Sequence, residues 1–151
     1  MAELVWFAAI VVGWAVAEAA TTVIDRPGPR TLAAATGVCL LASHVGGVVE
    51  HVVRRTHGLW FGALVAAAGV ALRVWAITTL GPSFASRLDS ERVIVRGPYR
   101  WLRHPSEVGL AMAMAGCALV LGSWFAAAVT VVALPIAAVR CARENVALRS
   151  A

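Results

Sequence analysis

The stretch Arg92–Gly109, RVIVRGPYRWLRHPSEVG, stands between two long apolar segments. It carries four arginines, a histidine and two prolines. A tract this polar, set against neighbours this apolar, marks where a chain leaves hydrocarbon for water, so the flanking segments read as membrane helices. Charge, turns and an imidazole together also make it the first place to look for binding or chemistry.

Composition supports the membrane reading. The chain is 60% hydrophobic over 151 residues with a mean hydropathy of +0.80, against roughly 45–50% apolar usage in soluble domains. All 13 basic residues are arginine, and they exceed eight acids to give a net charge of +5. The arginines cluster at the ends of apolar runs, where they orient helices and meet lipid headgroups, so nucleic acid is set aside as a partner. Cys39, Cys117 and Cys141 lie within or at the ends of apolar segments with no CxxC spacing. They read as small core residues, and no metal site is expected.

Working outward, the expected fold is all-α: one domain over 1–151, a polytopic helical bundle of five spans, the last two a tight hairpin. The spans fall at about 4–24, 31–53, 59–80, 107–121 and 124–139. About 20 residues cross a hydrocarbon core of roughly 30 Å. The first span lacks a basic leader and is too long for a secretory segment, so it is expected to be retained. Asp25–Arg30 and Arg54–Gly58 punctuate the first three spans, and Gly122-Ser123 divides the last two. A single tilted helix over 107–139 is the alternative, but it overshoots the length needed.

Five spans put the termini on opposite faces. With the N-terminus outside, ten arginines (26, 30, 87, 92, 96, 100, 103, 140, 143 and 149) gather on the cytoplasmic side, and only Arg54 and Arg55 lie outside. That asymmetry orients the chain with its C-terminus cytoplasmic, and the expected location is the bacterial inner membrane. It also places the central tract and the Arg140–Asn145 end on one face.

Ionisable residues inside spans are costly and face the bundle interior or a cavity. Glu18 and Arg73 lie at similar depth, so they either pair to set register or leave Arg73 to hold an acidic group of a cofactor or substrate. Glu50 and His51 near the outer boundary read as solvated or interfacial, and His44 as hydrogen-bonded core. Spacings such as Gly58/Gly62 and Gly109/Ala113 allow helices to approach closely. At the start of span four Pro105 fits the first helical turn. There the N–H groups of Ser106, Glu107 and Val108, beside Arg103 and His104, are expected to be open to an anion.

The run GPYRWLRHPSEVG, preceded by Leu80-Gly81-Pro82 and followed by an apolar hairpin and an Arg-rich end with Glu144, resembles the isoprenylcysteine carboxyl methyltransferase family. The resemblance covers about Leu72–Leu148. It implies S-adenosylmethionine as cofactor on the cytoplasmic side, with Tyr99, Arg103, His104, Pro105 and Gly109 lining its pocket and Glu144 contacting the adenosyl moiety. Two departures stand out. Where the family carries an aromatic after RHP, this chain has Glu107; and the further motif residues of the eukaryotic enzymes are missing after Glu144, so a prenylated protein substrate is not implied.

Methyl transfer from a sulfonium is an in-line displacement that mainly asks for alignment and exclusion of water. A carboxylate acceptor needs no base; a hydroxyl does, and Glu107 or His104 is placed for it. Catalytic candidates are therefore Glu107, His104 and Arg73. The acceptor is expected to be lipophilic and to enter from the bilayer, with membrane lipids as the other partners. Alternatives are a membrane reductase of sterol-reductase type using NAD(P)H, or a transporter subunit in which the arginines only dock lipid.

Overall fold

The computed structural model describes residue 5 and residues 7–15, 30–80 and 96–150, all helix or short turn. The Asp25–Arg30 turn apart from Arg30, Glu18, and the linker with Arg87 and Arg92 lie outside the described residues. Five helices follow one another: α1, seen at residues 7–15, α2 (Arg30–Arg54), α3 (Phe61–Leu80), α4 (Pro105–Leu121) and α5 (Trp124–Ser150). Three of them, α2, α3 and α5, contain apolar stretches of 20 or 21 residues, long enough to span a membrane, and α4 is a shorter apolar helix of 17 residues. The chain is a helical membrane bundle. The break at Gly122 confirms two helices over 107–139, and α5 continues past residue 139 to Ser150 without interruption.

α4 is the centre, and glycine decides how close its neighbours come. A Cβ on Gly62 would meet the Val120 nitrogen at 2.7 Å, one on Gly69 the Ala113 nitrogen at 2.4 Å, and one on Gly109 the Arg73 nitrogen at 2.7 Å. The pairs 62/120, 69/113 and 73/109 have a constant sum, the register of two antiparallel helices in backbone contact. With no hydrophobic effect to drive association between helices in lipid, this close van der Waals approach holds α3 to α4. α1 lies across the pair in the opposite sense to α4: Phe7 packs with Val120 and Leu121, Trp14 with Leu110 and Met114.

The end of the bundle at Gly122 is a clasp. Gly122 adopts φ +59°, the left-handed value that lets the helix close. The last carbonyls of α4 must find donors, because hydrocarbon offers none. Ala118 O accepts Ser123 N at 3.0 Å, Leu119 O accepts Leu59 N at 2.8 Å, and Leu121 O accepts Thr56 Oγ1 at 2.6 Å. His51 Nδ1 lies 2.9 Å from the same Leu121 oxygen. Glu50 Oε2 accepts Ser123 Oγ at 2.6 Å and Phe125 N at 2.8 Å, while Ser123 Oγ accepts Ala126 N and so caps α5.

Here the structure corrects a sequence expectation. Glu50 and His51 are not solvated boundary residues; they tie α2 to the α4–α5 turn, and His51 is buried. Hydropathy placed them at the boundary, but only the returning hairpin supplies their partners. His44 matches its expectation: Nδ1 donates to Leu40 O at 2.7 Å, and the ring lies between Phe7 and Trp14. Of the three cysteines only Cys117 is buried; Cys39 and Cys141 are half-buried.

Candidate functional site

The opposite end gathers the last turn of α3, the GPY turn, the first turn of α4 and the α5 segment around Arg140. Gly97–Arg100 forms a 3-10 turn begun by Gly97 at φ +57°. A side chain there would approach Thr79 Oγ1 to 2.8 Å, so glycine serves both the turn and its seat on α3. Arg96 donates to Thr79 O at 3.1 Å, and Trp75 meets Trp101 edge-on with ring centroids 6.2 Å apart. Buried Pro98 fills the turn, and its carbonyl accepts the Trp101 and Leu102 N–H groups.

Of the residues expected to form the pocket, Tyr99 is half-buried within this turn and Arg103 is exposed just after it. His104 is half-buried and precedes α4, and Pro105 occupies the buried first position of the helix. Of the three N–H groups expected to be open there, those of Glu107 and Val108 are engaged. Glu107 N and Val108 N both donate to His104 O, at 3.2 and 3.1 Å. His104 is the N-cap of α4, and its carbonyl accepts the first bonds of the helix, as an N-cap carbonyl does.

Gly109 faces α3, not a cavity: the atoms nearest to a Cβ there are Gly69 O and Arg73 N. Its smoothness is used for helix packing. Arg73 is buried, and its Nη1 donates to Ser106 O at 3.2 Å and to Ser106 Oγ at 3.0 Å. It holds the first turn of α4 against α3; its pairing with Glu18 lies outside the described residues. Glu144 lies one turn beyond Arg140 on α5, with its side chain outside the described residues.

Glu107 has a partner that was not foreseen. Arg140 Nη2 approaches Glu107 Oε1 at 3.2 Å, with the two side chains 22% and 12% exposed, so the pair is largely withdrawn from solvent. Arg140 Nη1 also reaches Thr36 Oγ1 on α2 at 3.4 Å. Glu107 Oε2 is buried and has no hydrogen-bond partner among the described residues. The signal for this pair was present in the sequence. Glu107 lies fifteen residues before Gly122 and Arg140 seventeen after Ser123, so the hairpin brings opposite charges level. Hydropathy alone places Arg140 at a polar helix end; the distance from the turn is what levels it with Glu107. Ser106, a small polar residue inside a motif, left no comparable signal.

Taken together, one end of the bundle carries a paired carboxylate, two cations already engaged within the fold, and an exposed Arg103 beside a half-buried imidazole. Such a set can hold a polar ligand at the mouth of an apolar bundle and exclude water behind it. The sequence pattern of the isoprenylcysteine carboxyl methyltransferase (ICMT) family is matched over residues 61–150, from α3 to the end of α5. No curated protein and no solved structure matches the chain.

Proposed function

We propose, from the premise that the chain belongs to the isoprenylcysteine carboxyl methyltransferase family, that it uses S-adenosylmethionine to methylate a lipophilic acceptor at the cytoplasmic membrane face. The chain is an integral membrane protein, and its family is one of methyltransferases. What carries the finer reading is the family match over the whole α3–α5 unit together with the docked GPY turn and the polar end of the bundle.

The residues present suit the cofactor chemically. Arg103 and His104 offer cationic and hydrogen-bonding partners for an amino-acid carboxylate, and Glu144 offers an acceptor for a ribose diol. When bound, S-adenosylmethionine supplies an electrophilic methyl group. The chain's own part is to hold and align. Arg73 fixes the first turn of α4 through Ser106, Pro98 and Trp101 fix the turn that carries Tyr99, and the glycine-packed helices keep water from the apolar side. The acceptor, a carboxylate or a hydroxyl, enters laterally from the bilayer. Arginine asymmetry supports an orientation with this end cytoplasmic.

Heat inactivation of the detergent-purified protein tests the reading. S-adenosylhomocysteine should protect it, and Glu144→Gln should weaken that protection by about 1.5–3 kcal/mol of binding, the worth of a hydrogen bond to a charged group. Protection by NADPH instead would point to a reductase, and protection by neither to a non-enzymatic role. Incubation with methyl-labelled S-adenosylmethionine and a lipid extract then identifies the labelled acceptor.

A further inference from the structure

One oxygen atom separates the two acceptor classes left open above. Glu107 stands on the first turn of α4, three residues beyond His104. Its Oε1 is engaged by Arg140, and its Oε2 is buried without a donor among the described residues. Of the neighbouring basic groups, Arg140 is shared between Glu107 and Thr36, Arg73 reaches Ser106, and Arg103 and His104 are the partners proposed above for the cofactor carboxylate. The open valence of this end is therefore a lone pair on an anionic oxygen held away from water. Such an atom attracts a hydrogen-bond donor and repels a second anion, more strongly in a low dielectric than in water. A carboxylate acceptor would bring only acceptors and a like charge.

We propose that the acceptor is a neutral lipophilic molecule with a weakly acidic hydroxyl of phenol type, whose O–H donates to Glu107 Oε2. This rests on the methyltransferase reading. A phenol, with a pKa of about 10, lies nearer the reach of a carboxylate base than an alkanol does. In the transfer the acceptor O–H bond breaks and its proton passes to Oε2. A bond forms between the acceptor oxygen and the methyl carbon, and the carbon–sulfur bond breaks with its electron pair remaining on sulfur. The positive charge of the sulfonium leaves as the proton, which Glu107 releases to water.

The test compares 3-pentadecylphenol with hexadecanoic acid on the full chain in detergent. Two readouts are taken: heat protection without methyl donor, and incorporation of label from methyl-labelled S-adenosylmethionine. The phenol should protect and should be methylated at least about tenfold faster than the acid. Glu107→Gln should cut transfer to the phenol by about a hundredfold or more while protection by S-adenosylhomocysteine stays unchanged. Should that variant not fold, Glu107→Asp, which keeps the charge on a shorter arm, should show the same split.

Preference for the acid, wild-type transfer by Glu107→Gln, or protection by S-adenosylhomocysteine with neither compound bound or methylated would each overturn the acceptor class alone. Absence of any protection by S-adenosylhomocysteine, with no transfer to either compound, would overturn the methyltransferase reading and this proposal with it.

Discussion

Gly109 and Gly37 show how the same residue type means different things at two positions. Both are helical, but a Cβ on Gly109 would meet Gly69 O at 2.6 Å and the Arg73 nitrogen at 2.7 Å, whereas one on Gly37 would meet nothing within 4 Å. Gly109→Ala must push α3 away from α4, and because the opposing atoms are backbone they cannot turn aside. The expected destabilisation is about 3 kcal/mol or more, at the upper end of overpacking costs. Gly37→Ala should be neutral or stabilise by about 0.5–1 kcal/mol, through helix propensity alone. Thermal inactivation of the two variants side by side checks this, and equal behaviour would refute the backbone-contact reading. The same contact draws Gly109 out of the cofactor pocket that the family pattern implies for it.

At the scale of elements, the α4–α5 turn is held from outside the hairpin. Glu50 of α2 accepts both Ser123 Oγ and Phe125 N, so a carboxylate from one helix completes the cap of another. Removing it takes the acceptor away from two donors. Glu50→Ala should destabilise this end, and Glu50→Gln, which keeps one acceptor oxygen, distinctly less. Trypsin cleavage after Arg54 and Arg55, followed as a function of temperature, reads the loosening of this end. Identical cleavage curves for wild type and Glu50→Ala would show that the clasp contributes nothing. At the other end Arg73 and Ser106 do the comparable work for the first turn of α4, where the proposed chemistry lies.

At the scale of the molecule, the helices alternate in direction and the two ends differ in kind. One end carries Trp60, Phe61, Trp124 and Phe125, all exposed, and the clasp; the other carries Trp75, Trp101, the GPY turn and the Glu107–Arg140 pair. Exposed aromatics at both ends suit a bilayer with an interface at each. Arg140 is sixteen residues along α5 from Trp124, about 24 Å at helical rise, so the ion pair sits near the second interface and not at mid-membrane. Arginine asymmetry predicts that this end is cytoplasmic. A reporter fused after Ala151 should be active only if it functions inside the cell, and one fused before Met1 only if it functions outside; the reverse pattern would invert the orientation and the site's access to S-adenosylmethionine.

The sequence by itself determined the fold class, the number of helices and the family. Each follows from properties that add along the chain: apolar length against bilayer thickness, Gly and Pro punctuation, and the GPY/RHP spacing. Only the tertiary structure decided what Glu50, His51, Gly109 and Glu107 do. Each depends on a residue brought from another helix: Ser123 for Glu50, Leu121 for His51, Arg73 for Gly109, Arg140 for Glu107. Hydropathy reports how deep a side chain lies but not which neighbour it meets at that depth. The neighbour settles whether a half-buried carboxylate caps a helix, as Glu50 does, or keeps one oxygen unpartnered among the described residues, as Glu107 does.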